Sequence, residues 1–150
     1  VSARRALLSI GLILSASLGI ASCGGKPQSV AAQVRQWSAG AGFPDLDDAL
    51  TADFPAVAAG LASGDLKALK TACAGLGIDE SNVYDTLVTP SRALTNLLNT
   101  ALDGLGDDAS RCNALTADTP GSVAALRRSL RAHEAEYLRA RTIIVDDGGG

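Results

Sequence analysis

The sequence predicts an all-α protein, a small helical bundle of four to six helices stapled by one disulfide. Three observations carry this. Alanine fills 27 of the 150 positions and leucine 21, while aromatic residues make up only 3%, a mixture that suits helices better than sheets. Beyond residue 29, apolar residues recur three and four apart, and no alternating strand pattern appears. Of three cysteines, one directly follows an N-terminal leader and is set aside, which leaves Cys73 and Cys112 to pair. An apolar fraction of 47% and a charged fraction of 19% are ordinary for a globular chain, and the length suits one domain.

Residues 1–22 read as a cleaved export leader. Val1-Ser2-Ala3-Arg4-Arg5 is a short positive segment, and Ala6 to Ile20 is uncharged and mostly apolar. Fifteen helical residues reach about 22 Å, short of a ~30 Å hydrocarbon core, so a permanent transmembrane helix is the weaker reading. Arg4-Arg5 also fits a twin-arginine export route, and the sequence does not choose between that and the general route. Ile20-Ala21-Ser22-Cys23 resembles the lipobox of bacterial lipoproteins. The resemblance implies that Cys23 receives a diacylglycerol thioether, that cleavage falls before it, and that the protein is exported and anchored by lipid to the outer face of the cell membrane. A thiolate is the side-chain nucleophile best suited to such an alkylation. Residues 23–28 then form a short tether, residues 29–144 the bundle, and 145–150 a disordered tail.

Ser29 caps a first helix to about Ser38, with Val30, Val34 and Trp37 on one face; Trp37 is expected as a packing anchor. Leu46, Leu50, Phe54, Val57 and Leu61 form the next stripe. Pro55 interrupts it, so either that helix kinks or Asp53 caps a new one. Asp65 caps a helix carrying Leu66, Leu69, Cys73 and Leu76, which Gly75 and Gly77 are expected to end. A short helix over 80–88 follows. Thr89-Pro90 opens a long helix to about residue 115 that runs through Gly104 and Gly106. Thr119-Pro120 opens the last, where Val123, Leu126, Leu130, His133, Tyr137, Ala140 and Ile144 make a heptad seam.

An oxidising exterior lets Cys73 and Cys112 form a disulfide. With the short helix over 80–88 acting as a reversal, the two cysteines are expected at the same end of parallel helices.

The formal net charge is −3. Removing residues 1–22 takes away two arginines and no acids, leaving 11 basic and 16 acidic residues, a net −5. Nucleic acid is therefore not an expected partner, nor is adhesion to anionic headgroups through charge. No nucleophile elbow, phosphate loop or zinc-protease helix occurs, so no enzyme activity and no cofactor are expected. His133 is the single histidine. It is expected as a hydrogen-bonded boundary residue, although with Tyr137 one turn on it could join a haem site. Asp45-Asp47-Asp48 and Asp103-Asp107-Asp108 lack the alternation of a calcium loop and read as helix caps and dipole partners. The mature part, through Asp65-Leu66, Cys73, Pro90 and Cys112, resembles Ala-rich helical lipoproteins of actinobacteria, a likeness that implies no activity. The expected function is a non-enzymatic envelope component that binds or scaffolds a protein partner. The alternative is a carrier of haem or a small apolar ligand between helices. Oligomeric state is not legible.

Overall fold

The computed structural model describes residues 27–40, 42–83, 87–116 and 120–149. The expected leader, Cys23 and most of the tether lie outside these. Among the described residues five helices follow one another: α1 (Val30–Gly40), α2 (Phe43–Ser63), α3 (Leu66–Val83), α4 (Arg92–Asn113) and α5 (Pro120–Gly149). No strand occurs among the described residues. The fold is the predicted all-α bundle, and Cys73 and Cys112 are disulfide-bonded with their Cα atoms 6.2 Å apart.

Capping residues start the helices largely where the sequence places them. Ala32 N donates to Ser29 Oγ at 3.2 Å, and Asp65 Oδ1 accepts from Lys67 N at 2.9 Å and Ala68 N at 3.0 Å, each satisfying an otherwise orphaned first-turn donor. Between α2 and α3 the chain turns at Gly64, whose φ of 70° suits a residue without a side chain. Helix α4 begins two residues later than expected. Its N-cap is Ser91, whose hydroxyl accepts from Leu94 N, and Thr89 Oγ1 braces the entry by donating to Ser91 O at 2.7 Å. Pro90 thus precedes the cap.

Helix α2 passes through Pro55 as one element, so of the two readings open at Pro55 the single helix holds and Asp53 opens no new one. Other expectations are corrected. Helix α3 does not end at Gly75 and Gly77 but continues to Val83, and no separate helix covers 80–88, since Leu87–Thr89 are non-helical. The two glycines are packing positions: a Cβ on Gly77 would lie 3.2 Å from that of Ala109, and one on Gly75 would lie 3.4 Å from Asp53 Oδ1. Close packing there offsets the poor helix propensity of glycine. Helix α5 runs on to Gly149, past Ile144, where a tail was expected. No proline or glycine occurs between Gly121 in its first turn and Gly148.

The disulfide topology changes as a result. Cys73 pairs with Cys112 while Gly77 meets Ala109, so residue numbers climb on α3 as they fall on α4. These helices form an antiparallel hairpin, not the expected parallel pair, because α3 and one short connection reverse the chain directly. Gly60 opposite Leu69 and Asp53 opposite Gly75 make α2 and α3 antiparallel. The pairs Asp47–Arg141, Phe54–Tyr137 and Leu61–Arg127 do the same for α2 and α5. Helices α2 to α5 therefore form an up-down-up-down bundle closed into a ring, and α1 packs on α5 and α2.

The core runs along the ring's axis, with Leu46, Leu50, Leu76, Leu98, Leu102 and Leu105 among its buried members. The expected α5 seam faces it: Leu126, Leu130, Tyr137, Ala140 and Ile144 are buried. Trp37 packs against this core with its ring centroid 6.0 Å from that of Phe43.

Candidate functional site

The four seams of the ring are not equal, and side-chain size explains why. At three of them a glycine lies at the contact, Gly60 against Leu69, Gly77 against Ala109 and Gly104 against His133, so the backbones approach closely. The α2–α5 seam is instead bridged by long side chains and stands open. At one end Asp47 of α2 accepts from Tyr137 Oη at 3.0 Å and from Arg141 Nε at 2.6 Å, and the Phe54 and Tyr137 rings meet edge-on at 5.9 Å. At the other end Arg127 Nη2 donates to Leu61 O at 2.8 Å, where the last carbonyls of α2 lack helical partners and favour a cation.

Between these two ties lies a cleft of about 410 Å³. Its floor is Phe54, Val57 and Leu61 from α2 with Leu130 from α5, and its rim is Arg127, Arg131 and Glu134. The volume falls in the range of small-molecule sites, and an apolar floor with a few convergent polar groups is their usual composition. Arg131 and Glu134 have no ion-pair partner among the described residues.

Burial pushes the Tyr137 phenol well above its ordinary pKa, and the charge of Asp47 adds to this. The hydrogen bond to Asp47 raises that of the Arg141 guanidinium. The cluster is therefore a neutral phenol and a fixed cation on one carboxylate.

A second polar cluster sits between α4 and α5. His133 Nδ1 lies 2.8 Å from Asp108 Oδ2, and Arg111 Nη1 reaches Asp108 Oδ1 at only 3.7 Å. Asp108 is 0% exposed and His133 25%. The imidazole lies flat on α4: a Cβ built on Gly104 would stand 2.5 Å from its Cγ and Nε2.

Of the residues singled out by sequence, Cys73 and Cys112 are brought together and Cys23 lies outside the described residues. His133 is a hydrogen-bonded boundary residue, as expected. It and Tyr137 bond to different carboxylates, Asp108 and Asp47. Asp47 and Asp108 were expected as caps or dipole partners, and this is corrected: each is a cross-helix partner instead. Sequence reading also missed Arg127, Arg131 and Glu134 as a rim, because they lie off the heptad seam of α5. Their spacing of four and three on α5 was the available signal. Among the described residues no group of three or more His, Cys, Asp or Glu could hold a metal, and no helix is long and apolar enough to cross a membrane. No protein-family model, no curated protein and no solved structure matches the chain.

Proposed function

We propose that this protein is a lipid-anchored, non-enzymatic binding module of the cell envelope, working through the α2–α5 cleft. The observation that carries the binding reading is the open seam: where the other helix pairs close over glycines, α2 and α5 leave an apolar-floored, charge-rimmed opening between them. The anchor rests on Ile20-Ala21-Ser22-Cys23 after a charged and then apolar leader. Acylation at Cys23 with more than one chain would hold the module stably at the membrane. A protein partner and a small ligand carried between the helices are both binding functions of such a cleft, and its volume favours the second.

The test has two arms. Mature protein should carry an acyl mass at Cys23, and Cys23→Ser should block processing; a mature N-terminus elsewhere without lipid refutes the anchor. A photoreactive residue replacing Ala58, in the cleft, should give a discrete adduct in the native membrane, while one replacing Lys67 on α3 should not. Equal labelling from both positions, or from neither, refutes the cleft as the working surface.

A further inference from the structure

We infer that the ligand of the α2–α5 cleft is a small anionic amphiphile, a carboxylate on a medium-length aliphatic body, with its head at Arg127 and Arg131 and its tail over Leu130, Val57 and Phe54. This rests on the reading of the cleft as a binding site and adds the chemistry of its occupant.

Size comes first. The floor from Phe54 to Leu61 spans about seven helical rises, roughly 10 Å. Both ends are closed, one by the contact between the Phe54 and Tyr137 rings and the other by the Arg127 bond to Leu61 O. A partner helix needs a groove that continues past its ends, and this one stops. A short acyl chain fits between the ties.

Charge comes second. The mature chain carries a net −5 by sequence, yet two arginines stand one turn apart on α5 along the cleft, Arg127 at its Leu61 end and Arg131 one turn towards its middle. Arg127 commits one N–H to Leu61 O and keeps its charge and its other donors. Arg131 has no ion pair among the described residues. Two guanidinium groups beside an apolar floor recognise a carboxylate through charge-assisted hydrogen bonds. The third charged group fixes polarity. Arg127 lies opposite Leu61 and Tyr137 opposite Phe54, so Glu134 stands towards the Phe54 end. It repels an acid there and leaves the Leu61 end for the head.

The full chain in lipid nanodiscs, with labelled valine and leucine methyls, tests this by titration with octanoate, octylamine and acetate. Octanoate should shift the Val57, Leu61 and Leu130 methyls saturably, and octylamine and acetate should not. Arg131→Gln should weaken octanoate by roughly tenfold, and Arg131→Lys by less. Ala58→Leu, at an exposed position, should fill the cleft and abolish the shifts while the remaining methyl spectrum stays folded. Octylamine moving the same methyls as strongly as octanoate would overturn the anionic ligand and leave the cleft a binding site. Shifts spread over the whole surface without saturation would overturn the inference. So would no response to octanoate; if the residue at position 58 then captures a discrete protein, the occupant is that protein, and if it captures nothing, the proposed function falls as well.

Discussion

His133 Nδ1 and Asp108 Oδ2 stand 2.8 Å apart across the α4–α5 interface, and this bond is what makes a wholly buried carboxylate tolerable there. Arg111, at 3.7 Å and largely exposed, supplies weaker compensation. Removing the imidazole strands a charge in the core. His133→Ala should therefore cost about 3–5 kcal/mol of unfolding free energy. Asp108→Asn should cost only about 1–2 kcal/mol, because the amide oxygen still accepts the Nδ1 hydrogen. Urea unfolding of both variants checks this, and equal costs would show that the charge is not what matters.

Gly104→Ala sets helix propensity against sterics. Propensity favours alanine by ~1 kcal/mol in a helix interior. The His133 ring occupies the space a methyl would take, and such overpacking costs about 1–3 kcal/mol. Net destabilisation is expected. Gly121→Ala meets nothing within 4 Å and should stabilise by about 0.5–1 kcal/mol. Thermal unfolding of the two variants should move in opposite directions.

Tyr137 gives the fold a dependence on alkaline pH. Its folded-state pKa is raised, by burial first and by Asp47 second, while the unfolded phenol titrates near pH ~10. The stabilisation is therefore fully present below pH ~10 and is lost as pH rises from there towards the folded value, at about 1.4 kcal/mol per pH unit. Tyr137→Phe should lack this component. At neutral pH it should cost about 1–2 kcal/mol for the lost hydrogen bond, with Arg141 still neutralising Asp47. Stability curves of both proteins across pH 7–11 isolate the difference; parallel curves would refute it.

Reduction of Cys73–Cys112, which are 39 residues apart, should remove ~4 kcal/mol in the chain-entropy account. Both sulfurs are buried, so the pair should resist alkylation until a reductant or denaturant is added. Free thiols in protein isolated under oxidising conditions would count against the bond.

What the sequence made legible was whatever depends on near neighbours. The heptad of α5, the caps at Ser29 and Asp65 and the pairing of two cysteines all follow from local spacing and from counting. Gly75 and Gly77 misled because a glycine that ends a helix and one that admits a neighbouring helix look alike in one chain. Asp47 misled because its partners lie 90 and 94 positions away, and no local rule separates a capping aspartate from one that crosses the bundle. The cleft was invisible for the same reason: it is defined by what α2 and α5 fail to do to each other.

That open seam also joins the first helix of the ring to the last. The other three pairs are hairpins of consecutive helices, and the central one carries a covalent bond. Rigidity should therefore fall from the α3–α4 pair outwards, so native-state opening begins where α5 parts from α2. Amide hydrogens flanking that seam should exchange with solvent before those of α3 and α4, and an occupant of the cleft would slow them. The fold thus places its least protected boundary beside the surface proposed for binding, so that occupancy and local order rise together.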